Sequence, residues 1–285
     1  MNEPLDIRPL RTLDELRKMQ ELELKVWDME PIPTHQTLTV AKNGGIILGG
    51  FIGETLVGFI YSFPGFHQTS VYLCSHMLGI HPDYQGKGYG RQLKLAQKEA
   101  AIRKGYKLMT WTYDPLESVN ANLNIGKLQA ICRTYIEDCY GEMDDALNAG
   151  LATDRFMVEW LFDSDQHTKE QAIRDAEEVH LVTVQEDEQA FPVIDAFDGG
   201  KAAAELKQLH SNQAVLVPIP TNFQQIKEKN HSLAIDWRMK TRKLFTLLFQ
   251  ADYVVVGIKR KAEAPLQHYI LIKQSEINIH REGEE

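Results

Sequence analysis

The hexapeptide QGKGYG, residues Gln85 to Gly90, places three glycines and a lysine directly before a segment with the composition of a helix. The preceding segment, SVYLCSHMLGIH at residues 70–81, has the apolar pattern of a β-strand, and Pro82 ends it. A strand that turns directly into a helix exposes first-turn backbone N–H groups, which carry the positive end of the helix dipole. The stretch therefore predicts an anion site.

The composition of the hexapeptide supports this interpretation. Gly86, Gly88 and Gly90 remove the Cβ atoms that would hold a phosphate away from the backbone, and Lys87 and Arg91 add countercharge. The P-loop motif is excluded because no Ser or Thr follows the glycine-lysine pair, and the dinucleotide-binding glycine motif has a different spacing. An ordinary glycine-rich turn is the alternative interpretation.

The surrounding segments alternate between strand and helix patterns. DIRPL predicts a first strand, and Thr12 is placed to cap an amphipathic helix. Two apolar segments meet at Gly53 and Glu54, which predicts a hairpin, and Gly105 ends the helix after the hexapeptide. Between residues 6 and 162 the predicted order is strand, helix, three strands, helix, strand, helix and two strands. This order predicts an α/β fold with a mixed sheet.

Gln85, Gly88 and Gly90 match the [RQ]xxGx[GA] signature of the GNAT superfamily of N-acetyltransferases, which cradles the pyrophosphate of coenzyme A. The element order over residues 6–162 also resembles the whole GNAT fold. Within the region after residue 163, the stretch LVPIPTNFQQIKEKNHSLAIDWRMKTRKLF at residues 216–245 resembles an extension found in a little-characterised branch of this superfamily. The resemblance implies a GNAT acyl-CoA N-acyltransferase fold, an additional C-terminal α/β domain, and acetyl-CoA as the acetyl donor.

The resemblance also implies which residues hold coenzyme A. In the family, the strand before the glycine motif binds the pantetheine arm through its backbone, which assigns Leu78, Gly79 and Ile80 to that role. The pyrophosphate would lie against the motif and the start of the helix, at Gln85, Gly86, Lys87, Gly88, Tyr89, Gly90 and Arg91. A polar run of Asn120, Asn122 and Asn124 on a predicted helix is expected to add contacts, and Asn120 and Asn124 are the candidates.

The reaction implied is direct attack of an amine on the thioester. His76 is the candidate base because its unperturbed pKa lies near neutrality, although a histidine beside the core is an equal alternative. The family's usual tyrosine acid would stand where this sequence has Ile125. This departure leaves Tyr135, Tyr140, a water molecule or no acid at all.

Two further polar residues have mainly structural interpretations. Asp114, beside Pro115, either binds the substrate amine or starts a turn, and the turn is favoured. Cys74 is expected to be a small buried residue, since no base stands at a suitable spacing to activate it. The basic cluster RMKTRK, residues 238–243, is expected to form a solvated helix face.

Composition excludes several classes of protein. The formal charge of −9 argues against a nucleic-acid partner, because such proteins present a basic face. Three cysteines without a CxxC pair argue against a disulfide framework and favour a reducing cytoplasm. The N-terminal residues lack the pattern of a signal peptide, and no stretch approaches the roughly 20 apolar residues that span a membrane.

The chain is expected to form two domains, an acetyltransferase domain at residues 1–163 and an α/β extension at residues 164–285. Closure over the acceptor site, homodimerisation and a degenerate second acyltransferase-like unit remain open as roles of the extension. The leading hypothesis is an acetyl-CoA-dependent N-acetyltransferase that acts on a primary amine of a small-molecule or amino-acid-like acceptor. The alternative is a non-catalytic acyl-CoA-binding or sensing protein, and protein N-acetylation ranks lowest.

Overall fold

The structure is a computed structural model that describes residues 3–28, 30–67, 69–141, 150–195 and 197–277. Its contacts divide the chain into two compact units. The first unit comprises the described residues up to Trp111 together with Leu161–Asp163, and the second comprises Thr112–Trp160 and the described residues from Ser164 onward.

The elements of the N-terminal region follow the predicted order with one addition. They are β1 (Asp6–Pro9), α1 (Leu13–Trp27), α2 (Thr34–Lys42), β2 (Ile46–Ile52), β3 (Thr55–His67), β4 (Ser70–Ile80), a 3-10 turn (Pro82–Tyr84), α3 (Tyr89–Arg103) and β5 (Leu108–Tyr113). Strands β1 to β4 pair antiparallel in chain order, and β4 pairs parallel with β5. The predicted mixed α/β fold is confirmed, whereas α2 is a helix that the sequence reading missed.

Local chemistry explains how α1 begins and which face it buries. The Thr12 hydroxyl accepts a hydrogen bond from the Glu15 backbone at 3.2 Å, and the Glu15 carboxylate accepts one from the Thr12 backbone at 2.9 Å. The apolar stripe of α1 then packs on the aromatic side chains of β3. The buried members of this cluster include Leu16, Met19, Leu22, Phe59 and Tyr61. Helix α1 is therefore fixed on one face of the sheet by its cap and its core contacts.

The C-terminal region carries further strands of mixed direction. Its elements are α4 (Ser118–Ala121), a π-helical turn (Asn122–Lys127), β6 (Ile131–Ile136), β7 (Arg155–Leu161), α5 (Gln166–Asp175), β8 (Glu177–Val179), β9 (Val184–Glu186), β10 (Pro192–Ile194), α6 (Gly199–Leu206), β11 (Gln213–Pro220), α7 (Phe223–Lys229), α8 (His231–Gln250), β12 (Tyr253–Arg260), β13 (Leu266–Lys273) and a 3-10 turn (Gln274–Glu276). The strand order is β7-β6-β12-β13-β11-β8, and β11 pairs parallel with β8. Helices α7 and α8 are separated at Asn230, which leaves helical geometry and caps α8.

The basic cluster at residues 238–243 is not the solvated face that the sequence predicted. Arg238 is 2% exposed, and its guanidinium donates hydrogen bonds to both oxygens of the Asp114 carboxylate. The Nη1–Oδ1 distance is 2.8 Å. One turn later, Arg242 donates to both oxygens of Asp154 at 2.8 and 2.6 Å. The prediction was wrong because these arginines pair with carboxylates that lie far away in the sequence. The local run of basic residues gives no sign of those partners. Trp237, which precedes the cluster, lies in the core.

The two units do not divide at residue 163, where the sequence predicted a domain boundary. The described residues of Thr112–Trp160 belong to the same unit as those from Ser164 onward. Strand β6 pairs with β12 at Cys132 and Val255, and the carboxylates of Asp114 and Asp154 are paired with arginines of α8. A fragment that ended at residue 163 would leave two buried carboxylates without their cations. Independent folding of residues 1–163 stays a prediction. Among the described residues, no helix is both long and apolar enough to cross a membrane.

Replacing Arg238 by Met should lower the free energy of unfolding by about 3–5 kcal/mol, because it leaves the Asp114 carboxylate with an uncompensated charge in a buried position. Urea unfolding followed by circular dichroism measures this change. Lys243→Met is the matched control, since Lys243 is exposed on the same helix. If both variants lost the same stability, the Arg238–Asp114 pair would contribute no more than a surface charge.

Candidate functional site

The predicted anion loop lies at the N-terminus of α3 and is exposed. Gly86 has φ of 74° and Gly88, the N-cap residue of α3, has φ of 82°, which is left-handed backbone that favours glycine. A Cβ placed on either glycine would meet no atom within 4 Å. The left-handed backbone therefore favours glycine at both positions, and the space beside both residues is open.

Gly90 has a different role from the other two glycines. It lies in the first turn of α3 without a positive φ, and a Cβ there would approach the Leu78 side chain at 3.6 Å. The first turn of α3 contains no acidic residue, and Arg91 is exposed beside it. Because α3 is 15 residues long and begins with unpaired N–H groups, this turn presents positive potential.

Side-chain hydrogen bonds anchor the loop to the end of β4. The Gln85 amide donates to the Ile80 carbonyl at 3.2 Å, and the Lys87 ammonium donates to the Asp83 carbonyl at 3.1 Å. Lys87 also lies 4.5 Å from the centroid of the Tyr84 ring. These contacts tie the loop to the residues that precede it.

Tyr89 faces inward. Its side chain is buried, and its hydroxyl donates to the Glu3 carbonyl at 3.1 Å. The group of Tyr89 that can face an anion is therefore its backbone N–H, and the predicted contact through this residue is limited to the main chain.

Strand β4 leaves its neighbour β5 after a short ladder. Within the described residues, the two strands pair only at Leu73 with Met109 and at Cys74 with Thr110. On its other edge β4 continues to pair with β3 as far as Ile80. The edge of β4 that follows Cys74 therefore has no ladder with β5.

The predicted pantetheine residues lie on this part of β4. Leu78, Gly79 and Ile80 pair with Ile60, Phe59 and Gly58 of β3. A Cβ on Gly79 would come within 2.6 Å of the Phe59 ring, so close packing on that ring requires glycine there. Any contact of Gly79 with a ligand would be made by its main chain.

His76 lies at an irregularity of β4. Ser75 pairs with Ser62 and Met77 pairs with Tyr61, so His76 is the extra residue of a β-bulge. Its ring lies 6.0 Å from the Tyr61 ring and 5.7 Å from the Phe63 ring, measured between centroids. Desolvation by these surroundings lowers the pKa of His76, although part of the side chain remains exposed. A lowered pKa and an exposed side chain are compatible with the role of His76 as a base, which stays a prediction.

A buried lysine stands on the opposite face of β4, and the sequence reading missed it. Lys94 of α3 is 3% exposed, and its ammonium donates to the Ser75 hydroxyl at 2.9 Å and lies 3.6 Å from the Trp111 ring centroid. The Ser75 hydroxyl in turn donates to the Gln97 side chain at 2.9 Å. Burial lowers the pKa of Lys94 well below its ordinary value. The helical spacing of Lys94, Gln97 and the buried Ala101 was the available signal.

The two candidate tyrosines of the second unit differ sharply. The Tyr135 hydroxyl donates to Asp154 at 2.6 Å, and burial together with that carboxylate raises the pKa of Tyr135 far above its ordinary value. A tyrosine that holds its proton so firmly is a poor acid, which favours a structural role over the predicted catalytic one. Tyr140 is half exposed, and its hydroxyl lies 2.8 Å from the Thr112 hydroxyl. Tyr140 stays a candidate.

The asparagine run has one accessible member among its two candidates. Asn120 is exposed on α4, whereas Asn124 is 4% exposed inside the second unit. Burial disfavours the predicted ligand contact of Asn124, and Asn120 stays a prediction. Ile125, which stands at the family's tyrosine position, is buried.

Asp114 starts a turn, as the sequence favoured. Its side chain accepts a hydrogen bond from the Leu116 backbone at 2.9 Å, while Arg238 occupies both of its oxygens. The alternative role in amine binding is not supported. Burial raises the pKa of the Cys74 thiol, so this residue is not poised as a nucleophile.

Comparison with known proteins identifies a family over the N-terminal part of the chain. Residues 11–122 match the model of the Acetyltransferase (GNAT) family. No curated protein matches the chain significantly.

Three solved structures are similar to part of the chain. An acetyltransferase of the GNAT family from Streptococcus pneumoniae has 14% identity and a TM-score of 0.46 over 55% of this chain and 99% of that one. The protein yncA from Salmonella typhimurium, solved with its cofactor acetyl-CoA, has 16% identity and a TM-score of 0.45 over 57% and 96%. An N-acetyltransferase from Staphylococcus aureus Mu50 has 14% identity and a TM-score of 0.45 over 56% and 100%. These likenesses are too distant to indicate a substrate.

Replacing Lys94 by Met should raise the free energy of unfolding near neutral pH, because burial disfavours the ammonium that the unfolded chain keeps. The folded protein releases the Lys94 proton well below the unfolded pKa of about 10.4, so wild-type stability falls as the pH drops between the two values. Ser75 keeps its bond to Gln97 in this variant.

Urea unfolding at several pH values measures this effect. The gain from Lys94→Met should be largest in mild acid and should shrink toward about pH 10, where the unfolded lysine also loses its charge. Lys104→Met, an exposed change beyond the end of the same helix, should show no such trend. A gain that is constant with pH would contradict a neutral Lys94.

Proposed function

We propose, from the GNAT-family acetyltransferase domain that residues 11–122 carry, that the protein is an acetyl-CoA-dependent N-acetyltransferase. Its acceptor would be the primary amine of a small-molecule or amino-acid-like compound. The observation that carries the proposal is the exposed loop at the N-terminus of α3, where left-handed glycines open space beside first-turn N–H groups.

The loop fits the pyrophosphate of coenzyme A in both shape and charge. Gly86 and Gly88 place no Cβ in the open space beside them, and the backbone N–H groups of the first α3 turn lie at the positive end of the helix. Arg91 adds an exposed cation beside that turn. An anionic group is the ligand that this combination favours.

The edge of β4 supplies the second half of the binding site in this proposal. A pantetheine arm contains two amides, which pair with a strand edge as a neighbouring strand would. The β4 ladder with β5 ends at Cys74, and Leu78 to Ile80 follow on the same strand before the loop. Main-chain groups of these residues would therefore bind the arm.

His76 would accept the proton that the acceptor amine releases. Acetyl-CoA supplies an activated thioester, whose C–S bond breaks as the C–N bond to the amine forms. Only a neutral amine can attack, so an ammonium acceptor must first give a proton to a base. The lowered pKa keeps His76 neutral near pH 7, and its exposed edge lets the proton pass on to water. The leaving thiolate is stable enough to depart with protonation from Tyr140 or water.

A second candidate function is acyl-CoA binding without catalysis. It is favoured by Ile125 at the position of the family's tyrosine acid and by the Tyr135 hydroxyl, which is bound to Asp154. Thiol release from acetyl-CoA across a panel of primary amines separates the two functions, and mass spectrometry of the products identifies the acetylated amine. Amine-dependent release supports the transferase. Coenzyme A binding without release on any amine supports the binding protein.

Gly88→Val should weaken coenzyme A binding more than tenfold, equivalent to more than about 1.4 kcal/mol, because a branched side chain would occupy the open space and strain the loop. Calorimetric titration measures the affinity. Gly105→Val is the matched control, since Gly105 has a similar φ of 88° and equally open surroundings at the other end of α3. If the two folded variants bound coenzyme A with equal affinity, the loop would not be part of the binding site.

His76→Ala should flatten the acidic limb of the pH–rate profile and leave coenzyme A affinity unchanged. In the wild type, the rate should rise with pH through an apparent pKa below the usual histidine value of about 6.5, because the imidazole must be neutral to accept a proton. His67→Ala, which removes an exposed histidine at the end of β3, serves as the control. An unaltered profile in His76→Ala would assign the proton transfer to water.

A further inference from the structure

Glu23 of α1 has a buried carboxylate oxygen that accepts no hydrogen bond from the described residues. The residue is 2% exposed, and its Oε2 accepts a hydrogen bond from the Ile32 backbone at 2.8 Å. Its Oε1 is buried and has no hydrogen-bond partner among the described residues. A buried acceptor left unpaired costs roughly 1–3 kcal/mol, and more when it is charged. Such an atom requires a reason other than stability.

Aromatic rings lie on the same face of the sheet as Glu23. Tyr61 belongs to the cluster that packs against α1, and Phe63 packs on that cluster. Ile32, whose backbone N–H donates to Glu23, packs on the same cluster, so the Glu23 carboxylate lies on the side of α1 that packs against these rings. Burial raises the pKa of Tyr61, and the charge of Glu23 raises it further. The Tyr61 and Phe63 rings are 6.2 Å apart, and each contacts the His76 ring.

These groups together favour a cation. The faces of aromatic rings attract ammonium groups, and an unpaired carboxylate oxygen is the strongest acceptor for their N–H donors. Among the described residues, no lysine or arginine forms an ion pair with Glu23. Burial raises the pKa of Glu23, and the hydrogen bond from Ile32 offsets part of that rise.

We propose that Glu23 binds the ammonium group of the acceptor, with the rings of Tyr61, Phe63 and His76 packed around the adjoining carbon atoms. The inference rests on the proposed function and narrows its acceptor to a compact primary ammonium compound. It also places the ammonium on the α1 face of β3 and β4. His76 lies on this face and would accept the proton of the ammonium.

Benzylamine, a compact primary ammonium at neutral pH, is the probe, and benzyl alcohol is its uncharged counterpart. Calorimetric titrations use the full chain as wild type, Glu23→Gln and Glu21→Gln, with and without coenzyme A. Glutamine keeps an oxygen for the Ile32 N–H and removes only the charge. Glu21→Gln removes an exposed charge from the same helix. Benzylamine should bind the wild type and Glu21→Gln equally, bind Glu23→Gln at least tenfold more weakly, and exceed benzyl alcohol only where Glu23 is present.

Thermal unfolding separates this role from a structural one. The folded-state pKa of Glu23 is raised, so its desolvation lowers stability once the pH exceeds the unfolded value, and this loss is complete above the folded value. Glu23→Gln should therefore unfold near pH 7 at the wild-type temperature or above it while losing benzylamine affinity. A purely structural glutamate would give a less stable variant.

Three results would overturn the inference: no benzylamine binding to the wild type, equal affinity in Glu23→Gln, or weaker binding accompanied by lower stability. Failure of the proposed function has a different signature. A chain that does not bind coenzyme A, yet binds benzylamine through Glu23, would retain the ammonium site and lose the transferase.

Discussion

The arrangement of the first unit depends on where β4 stops pairing with β5, since within the described residues this ladder ends well before β4 does. Its ladder with β5 ends at Cys74, the bulge at His76 follows, and the left-handed glycines at positions 86 and 88 then turn the chain into α3. An unpaired strand edge and an uncapped helix start both leave backbone polar groups to be satisfied. Their proximity along the chain is what makes this region suited to a ligand rich in amides and phosphates.

The arginines of α8 in the second unit are paired with opposite charges, whereas, within the described part of the chain, the buried Lys94 and Glu23 of the first unit are not. In the second unit, Asp114 and Asp154 are each matched by a bidentate arginine of α8, which is the pattern of a structural network. In the first unit, Lys94 is buried with only neutral partners, and Glu23 is buried with one oxygen unpaired. Natural proteins tolerate such unmatched groups mainly where they serve function. Lys94 contacts β4 through Ser75, next to the bulge, and Glu23 lies on α1, which packs on the other face of the sheet.

Local signals in the sequence predicted most of the first unit. The Gly53 hairpin, the Thr12 cap and the left-handed Gly88 each follow from a short stretch of chain, and each is present. Partners distant in sequence could not be predicted. Arg238 was expected on a solvated face because its partner Asp114 lies 124 residues away. Lys94, which the sequence analysis did not single out, is enclosed by Ser75 and Trp111 of two strands outside its own helix. The loop of the candidate site was therefore predictable, whereas the protonation states around it required the tertiary structure.

A crystal structure of the full chain grown with coenzyme A tests the central claim most directly. The account predicts pyrophosphate oxygens within hydrogen-bond distance of backbone N–H groups between Gly86 and Arg91, and a pantetheine arm along the edge of β4 at Leu78 to Ile80. Coenzyme A bound elsewhere on the chain, with the loop unoccupied, would contradict the account.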